Sequence, residues 1–325
     1  MSLKQYLTQF LEHLEIERNR SQKTVENYHF YLKRFIDWLG ENKNPKDIDM
    51  ESVRKFRLWL NRFTDQHGEP LKKNTQNYHL IAIRSFLKYL AKRDVISLVP
   101  EKIELMKMPD REVSFLDSDD IARILQAPIK NISKKSLDKE NAGGMTILLA
   151  YRDKAILELL FSTGLRVSEL SNLEKEDISL KRDEFTVLGK GGKSRVVFLS
   201  DEAKIWLQKY LDTRKDMNTY MFISHDKRFG KQKDHDEPLT PRSIQRIVQK
   251  HALEAGITKK VTPHTMRHSY ATDLLQNGAD IRSVQSMLGH SSITTTQIYT
   301  HITDKELKSV HKRFHSKKND KKDQK

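Results

Sequence analysis

Apolar side chains recur every three or four residues along most of this 325-residue chain, and that spacing predicts helices. Residues 1–94 contain such segments beginning near Leu3, Ser21, Asp49 and Asn74. Ser21 and Asp49 are residue types that often cap a helix N-terminus. Many Lys and Arg residues lie between the apolar positions, so the sequence predicts a small helical bundle with a basic face.

A strand pattern is clear in one region of the sequence. Phe185, Val187 and Leu188 precede a Gly-rich turn, and residues 195–199 have the composition of a return strand. Helices are expected at about 118–125, 151–163, 201–213, 241–254, 263–276, 281–288 and 304–314. The predicted fold class is therefore mainly α with a small β-sheet.

The length of the chain is typical of two domains. Pro100 and Pro109, with charged residues around them, indicate a connector. The polar, Lys-rich segment 129–148 is expected to be a flexible excursion. The expected organisation is a helical domain at 1–94, a linker at 95–112, a second domain at 113–315 and a disordered charged tail at 316–325.

The charge of the chain restricts its partners. A formal net charge of +15 and a pI of about 9.6 favour a polyanion, with DNA or RNA ahead of an anionic membrane surface. The absence of cysteine excludes disulfides, thiolate nucleophiles and Cys-containing zinc sites. The sequence has no signal-peptide pattern and no apolar run as long as a membrane span, so we expect a cytoplasmic protein.

The Gly-rich turn contains the letters G-K-S, which also occur in nucleotide-binding P-loops. A P-loop needs a further Gly where this chain has Val187, and it needs a helix where Arg195 begins a strand. The sequence therefore favours a β-hairpin with Lys190 at its tip. The simpler alternative is a surface turn with ordinary lysines.

The segment HTMRH has two possible interpretations. His264 and His268 have the spacing of metal ligands on a helix, but Thr265 occupies the place of the glutamate of zinc proteases. His264 and Arg267 instead lie on one side of a helix that begins at Pro263, near an N-terminus that favours phosphate. A capping histidine beside a surface arginine is the plain alternative.

Three further residues stand out only in combination. Arg166 lies on the turn after Gly164, and His290 follows Gly289, which we expect to end a helix. Tyr299 comes shortly afterwards. Taken singly, these are equally consistent with a surface arginine, an exposed bend and a half-buried aromatic.

Together, these stretches resemble the tyrosine recombinase family, also called the phage integrase family. The matching stretches are TGLRVSEL, GKGGKSR, HTMRH, LGHSS and IYTH, in the family's order. The resemblance covers residues 1 to about 314 and is greatest to the compact Xer-type members. It implies an N-terminal SAM-like core-binding domain and a C-terminal catalytic domain. Segment 129–148 departs from the family's pattern, because it is longer than expected of the compact members.

The resemblance also implies roles for six residues. Arg166 and Arg267 are similar to the arginines that grip the scissile phosphate, and Lys190 is similar to the lysine that protonates the leaving oxygen. His264 and His290 resemble the supporting histidines. Tyr299 resembles the nucleophile that forms a covalent 3′-phosphotyrosine link.

These residue types suit the reaction on chemical grounds. Guanidinium groups stabilise charge on non-bridging oxygens, and a tyrosine with a solution pKa near 10 needs nearby positive charge or a base. The covalent link conserves the energy of the broken bond, so no metal, ATP or other cofactor is expected. The alternatives are an inactive DNA-binding relative and a relaxing topoisomerase of type IB chemistry.

The resemblance further implies an assembly. The expected partner is double-stranded DNA carrying a specific site, bound by a homo- or hetero-tetramer on two such sites. The last predicted helix has an apolar stripe at Leu307, Val310 and Phe314, which is expected to dock on a neighbouring subunit or on its own domain.

Overall fold

The computed structural model describes residues 1–40, 42–65, 68–108, 114–130, 132, 143–189, 192–225 and 237–289. The chain divides into two compact units, Met1–Arg111 and Glu112–Lys325. Within the described ranges, no helix has both the length and the apolar character needed to cross a lipid bilayer.

The N-terminal unit contains the four predicted helices. They are α1 (Leu3–Glu12, extended by a π turn at His13–Glu17), α2 (Gln22–Leu39), α3 (Met50–Arg62) and α4 (Lys73–Ala91). Two 3₁₀ turns lie at Pro45–Asp47 and Pro100–Lys102. The Asp49 side chain caps α3 by accepting from the Ser52 amide, whereas Ser21 occupies the N-cap position of α2 without a capping bond.

Phenylalanines hold these helices together. Phe10 packs edge-on against Phe86 with ring centroids 5.5 Å apart, and Phe35 packs edge-on against Phe56 at 4.9 Å. All four side chains are buried. Because aromatic side chains bury the largest apolar areas, these contacts join α1 to α4 and α2 to α3.

The described part of the C-terminal unit is mainly helical with one hairpin. Its elements are α5 (Ser118–Lys130), α6 (Gly143–Thr163), α7 (Val167–Ser171), β1 (Glu184–Leu188), β2 (Ser194–Phe198), α8 (Asp201–Thr213), α9 (Pro241–Glu254), α10 (Pro263–Gln276) and α11 (Ile281–Leu288). The predicted bounds of the last four helices are confirmed. The predicted helix at 304–314 and the predicted tail at 316–325 lie outside the described residues.

The prediction for segment 129–148 was wrong at both ends. α5 continues to Lys130, because Ala127 and Pro128 are buried and packing outweighs the missing amide hydrogen of proline. α6 begins at Gly143 rather than near Tyr151, since the apolar residues that follow the two glycines extend the helix. Residues 131 and 133–142 lie outside the described residues.

α6 is the central helix of this unit and packs against α5, α8 and α10. Its residues 155–160 are all buried, so the helix lacks a polar face in this stretch. Strands β1 and β2 pair antiparallel, with Glu184 opposite Phe198 and Leu188 opposite Ser194. The core extends onto the inner face of this hairpin through Phe185, Val187 and Val197.

Candidate active site

The C-terminal end of α11 gathers three arginines. Its last carbonyls, at residues 287–289, each accept a hydrogen bond from a different guanidinium group. The carbonyl of residue 287 accepts from Nε of Arg195 at 3.0 Å, and that of residue 288 accepts from Nη2 of Arg267. The carbonyl of residue 289 accepts from Nη2 of Arg166 at 3.1 Å. The final carbonyls of a helix have no partner within the helix and carry partial negative charge, so this end is a favourable place for cations.

Gly289 allows this arrangement. It ends α11 in the left-handed conformation with φ of +63°, which a residue with a side chain adopts only at a cost. A Cβ at this position would lie 2.9 Å from Cδ of Arg195. Glycine is therefore required both by the turn and by the close approach of Arg195.

Arg166 is positioned by the turn between α6 and α7. Gly164 ends α6 with φ of +59°, and a Cβ there would lie only 2.6 Å from Cδ1 of Tyr270. Arg166 then occupies the N-cap position of α7, where its backbone amide donates to Oε2 of Glu169 at 2.9 Å. The same glutamate accepts from Nη1 of Arg166 at 2.8 Å, so both ends of the arginine are fixed.

Glu169 also binds Arg195, through two parallel hydrogen bonds of 2.9 and 2.7 Å. Burial by itself raises the pKa of the Glu169 carboxyl, but the hydrogen bonds from Arg195 and Arg166 outweigh it and hold the pKa at about 2. The carboxylate is therefore ionised at neutral pH. Two guanidinium groups share one negative charge, which leaves one positive charge uncompensated within this triad.

Arg267 reaches the same place from α10. Pro263 occupies the first turn of that helix, as the sequence predicts, and Thr262 caps it. The Arg267 guanidinium donates to the carbonyls of Gly164 and Leu288, and the residue is 5% exposed. His264 lies in the first turn of α10 and is exposed.

A cleft of about 580 Å³ opens beside Arg166 and Arg195. Arg166, Gly189, Arg195 and Gly289 line it, together with residues of β2 and the last turn of α11. The Arg166 side chain is 28% exposed, whereas that of Arg195 is 8% exposed. Arg166 thus presents a fixed guanidinium group to the cleft, in a setting suited to an anion such as a phosphate.

The structure brings together two of the six predicted residues, Arg166 and Arg267, which are far apart in sequence. The other described member, His264, is on the same helix as Arg267. Lys190, His290 and Tyr299 lie outside the described residues. Gly189 and Gly289, which directly precede two of them in sequence, both line the cleft.

Sequence reasoning missed Glu169 and Arg195 as members of the site. Both lie within the stretches that carry the family resemblance, at TGLRVSEL and GKGGKSR. A signal for Arg195 was present, because it alternates with Val197 on the inward face of β2. A charged residue at an inward strand position needs a buried partner, and that partner is Glu169.

No group of three or more His, Asp or Glu side chains in the described ranges is arranged to hold a metal ion.

Two family models match the chain. The model of the phage integrase family matches residues 114–306, and the model of the N-terminal SAM-like domain of phage integrases matches residues 7–94. Each match falls within one of the two compact units.

Curated relatives match along nearly the whole chain. Tyrosine recombinase XerD of Chlorobaculum tepidum is 38% identical over 95% of this chain and 95% of its own length. Tyrosine recombinase XerD of Oceanobacillus iheyensis is 36% identical, covering 94% of this chain and 96% of the relative. Tyrosine recombinase XerC of Pelobacter propionicus is 35% identical, covering 97% of this chain and 96% of the relative.

Solved structures of similar proteins share the fold. XerH recombinase bound to its difH substrate superposes with a TM-score of 0.64 at 23% identity, covering 94% of this chain and 83% of that one. A lambda integrase (75-356) dimer bound to a COC' core site superposes with a TM-score of 0.65 at 19% identity, covering 92% of this chain and 95% of that one. The predicted fold class is confirmed, and this chain belongs to the phage integrase family of tyrosine recombinases.

Proposed function

We propose that this chain cleaves and rejoins DNA at specific sites, with Tyr299 forming a covalent bond to a 3′ phosphate. The observation that carries this proposal is the meeting of Arg166 and Arg267 at the end of α11, where Arg166 lines a cleft. A pair of guanidinium groups held by carbonyl hydrogen bonds suits a phosphate whose charge grows in the transition state. Membership of the tyrosine recombinase family supports the same reaction.

The two arginines act through electrostatics. A phosphodiester repels nucleophiles, and attack by a phenolic oxygen places more negative charge on the non-bridging oxygens. Because Arg166 and Arg267 are fixed before the reaction, they stabilise that charge without reorganising. Loss of one such donor typically costs roughly 10²–10³ in rate.

The remaining roles concern protons. Lys190 is proposed to protonate the departing 5′ oxygen. His264 and His290 are proposed to support the phosphate and to accept the proton of Tyr299. The phosphotyrosine bond then lets an incoming 5′ hydroxyl reverse the reaction and exchange strands.

The family match supports proposals about the binding partners, the biological role and the cellular location of this protein. We propose double-stranded DNA with a specific site as the substrate and a homo- or hetero-tetramer on two sites as the active assembly. The XerC and XerD relatives favour resolution of chromosome dimers, in the cytoplasm at the nucleoid, over integration of a mobile element. Docking of Leu307, Val310 and Phe314 on a neighbouring subunit stays a prediction.

The domain limits also stay a proposal: a DNA-binding domain at 1–94, a linker at 95–112, a catalytic domain at 113–315 and a charged tail at 316–325. The family matches at 7–94 and 114–306 support these limits. A DNA-binding domain at 1–94 is consistent with the basic composition of the chain.

The test uses a trapped intermediate. Duplexes that bind the Tyr299→Phe protein are selected from a randomised library, and the enriched sequence is made as a nicked suicide substrate. The unmodified protein should form a denaturation-resistant protein–DNA adduct on it, and Tyr299→Phe should bind equally well but form none. An undiminished adduct would refute the role of Tyr299.

Two outcomes of the same experiment favour the alternatives. Tight binding without any adduct from the unmodified protein would indicate an inactive DNA-binding relative. Adduct formation and plasmid relaxation without sequence preference would indicate a type IB topoisomerase.

A further inference from the structure

Arg195 makes three hydrogen-bond connections that join separate parts of the site. Its Nη1 and Nη2 bind both oxygens of Glu169, at 2.9 and 2.7 Å. Its Nε binds the carbonyl of Met287 at 3.0 Å. The parallel pair of bonds to a carboxylate is the strongest geometry available to an arginine.

Exposure separates Arg195 from Arg166. The side chains of Arg195 and Glu169 are 8% and 6% exposed, whereas that of Arg166 is 28% exposed. All three guanidinium nitrogens of Arg195 donate to Glu169 or to the carbonyl of Met287, so Arg166 is the member of this triad placed to meet a phosphate. Glu169, unless neutralised, would cancel the charge of Arg166 and repel a phosphate nearby.

We propose that Arg195 is a positioning residue: it neutralises Glu169 so that Arg166 keeps its positive charge for the scissile phosphate. This inference rests on the proposed function. Glu169 then fixes the direction of Arg166, and Arg195 removes the electrostatic cost of using a carboxylate for that purpose.

The third bond of Arg195 adds a mechanical connection. Residue 195 lies on β2 opposite Val187, so the bond to Met287 ties the hairpin to the last turn of α11. The hairpin flanks Lys190 in sequence, and His290 follows the residue that ends α11. One side chain thus connects the hairpin to the helix end, the two elements that lie next to the catalytic candidates Lys190 and His290 in sequence.

If Arg195 acts by neutralising Glu169, the effect of substituting Arg195 on cleavage should depend on whether Glu169 is present. Arg195→Gln should slow single-turnover cleavage of the nicked substrate by about 10²-fold. In a Glu169→Gln background the same substitution should cost less than about threefold, because no carboxylate remains to be neutralised. Arg195→Lys, which keeps the charge but not the paired bonds, should recover the rate to within about tenfold of the unmodified protein.

Three measurements separate this role from a structural one. DNA affinity should be unchanged by Arg195→Gln while the cleavage rate constant falls. Thermal unfolding should show that each variant is folded at the assay temperature. Arg182→Gln, which removes one exposed arginine from the same unit, is the matched control and should cleave normally.

Equal losses from Arg195→Gln in both backgrounds would overturn the charge argument. A titration with inorganic phosphate, followed by ³¹P NMR, tests the same claim without catalysis. Arg195→Gln should weaken phosphate binding relative to Arg182→Gln, and adding Glu169→Gln should restore it; failure of that restoration would also overturn the inference. A protein that forms no adduct, yet shows this phosphate pattern, would fail the proposed function and keep the inference.

Discussion

Among the described residues of the C-terminal unit, arginines donate to backbone carbonyls in two clusters, which differ in charge balance. The first, here the α11 cluster, consists of Arg166, Arg195, Arg267 and Glu169. The second, here the balanced cluster, consists of Arg152, Asp153, Arg214 and Asp216.

In the balanced cluster each arginine has its own carboxylate. Arg152 donates twice to Oδ1 of Asp153, at 3.0 and 2.8 Å, and Arg214 binds Asp216. Both also donate to carbonyls of segment 220–223. Burial acts to raise the pKa of Asp153, but hydrogen bonds from His251 and Arg152 outweigh it, so the pKa is lowered and the carboxylate stays charged.

The difference teaches how to tell a structural arginine from one that binds a ligand. Carbonyl hydrogen bonds and burial are common to both clusters, so neither feature is diagnostic. Matched charges leave the balanced cluster nothing to attract, whereas two arginines share Glu169 in the α11 cluster. Substitutions in the balanced cluster should therefore reduce stability, and substitutions in the α11 cluster should reduce catalysis.

The largest expected effect is on stability, in the balanced cluster. Arg152→Met should lower the free energy of unfolding by about 3–5 kcal/mol, because it leaves Asp153 buried without its arginine. Denaturant unfolding measures this change. Arg123→Met is the control, since Arg123 is 57% exposed and its ion pair with Asp120 should contribute less than about 1 kcal/mol.

The cleavage rate of folded Arg152→Met protein should match that of the unmodified protein. A large loss of cleavage at a temperature where the variant is folded would break the distinction between the clusters.

The next effect is on catalysis, in the α11 cluster. Arg166→Ala should slow single-turnover cleavage by roughly 10²–10³, because a donor to the phosphate is lost. Its cost in stability should stay below about 1 kcal/mol, since Glu169 keeps both bonds to Arg195. Parallel measurements of adduct formation and thermal unfolding test the two halves of this prediction.

Arg166→Lys provides the comparison, because it keeps the charge and loses the planar fork. A rate equal to that of the unmodified protein would show that charge alone matters at this position. Unfolding of Arg166→Ala at the assay temperature would place Arg166 with the structural arginines.

A smaller effect is expected from the glycine that ends α11. Gly289→Ala should cost about 1–2 kcal/mol of stability for its left-handed backbone, and its Cβ should displace Arg195. Gly278→Ala is a matched control, because Gly278 also has a positive φ, +89°, but has no atom within 4 Å of the added Cβ. Cleavage should fall about tenfold in the first variant only, because the donor geometry shifts.

Equal cleavage by the two glycine variants would mean that the contact of Gly289 with Arg195 does not matter to the reaction. The expected pattern is a stability loss in both variants, with a further loss and slower cleavage in Gly289→Ala alone. It would separate backbone strain, which both share, from the position of Arg195.

Much of the fold followed from periodicity, because amphipathic helices carry their own signal. The predicted limits 241–254 and 263–276 match α9 and α10, where a capping Thr and a first-turn Pro mark the start. The start of α6 was missed because paired glycines and polar neighbours resemble a loop, while the packing that extends the helix is tertiary.

The site was only partly predictable for a similar reason. Arg166 and Arg267 were found from family motifs, but their meeting at the carbonyls of residues 287–289 depends on how α7, α10 and α11 pack. The pairing of Glu169 with Arg195 joins a helix to a strand, and no local pattern encodes it.

The smallest expected effect is on the pH dependence of stability, which should respond to the balanced cluster and not to the α11 cluster. Burial first, and then the charges of Arg152 and Arg214, lower the pKa of His225 to about 4. Nε2 of the ring lies 2.9 Å from the hydroxyl of Tyr210, which stays protonated because burial raises its pKa to about 12. As pH falls below about 6.5, the unfolded chain protonates this histidine before the folded chain does, so stability declines until about pH 4.

Glu169 affects stability at lower pH. Its folded pKa of about 2 lies below the unfolded value, so its contribution is complete above about pH 4.5 and is lost as pH falls towards 2. Burial also lowers the pKa of His79 in the N-terminal unit, so a decline between pH 6.5 and 4.5 has contributions from both histidines. Only the part of the decline that His225→Gln removes reports on the balanced cluster. His225→Gln should remove about 1 kcal/mol of that decline, a value reduced for the partial exposure of the ring.

Denaturant unfolding at pH 7 and pH 5 measures this effect, with His29→Gln, an exposed histidine of the other unit, as the control. Arg152→Met should also shrink the decline, because removing that charge lets the pKa of His225 rise towards its ordinary value. Arg166→Ala should leave the decline unchanged, since no charge of the α11 cluster contributes to the lowered pKa of His225. A decline that responded to Arg166→Ala and not to Arg152→Met would show that the two clusters do not act separately.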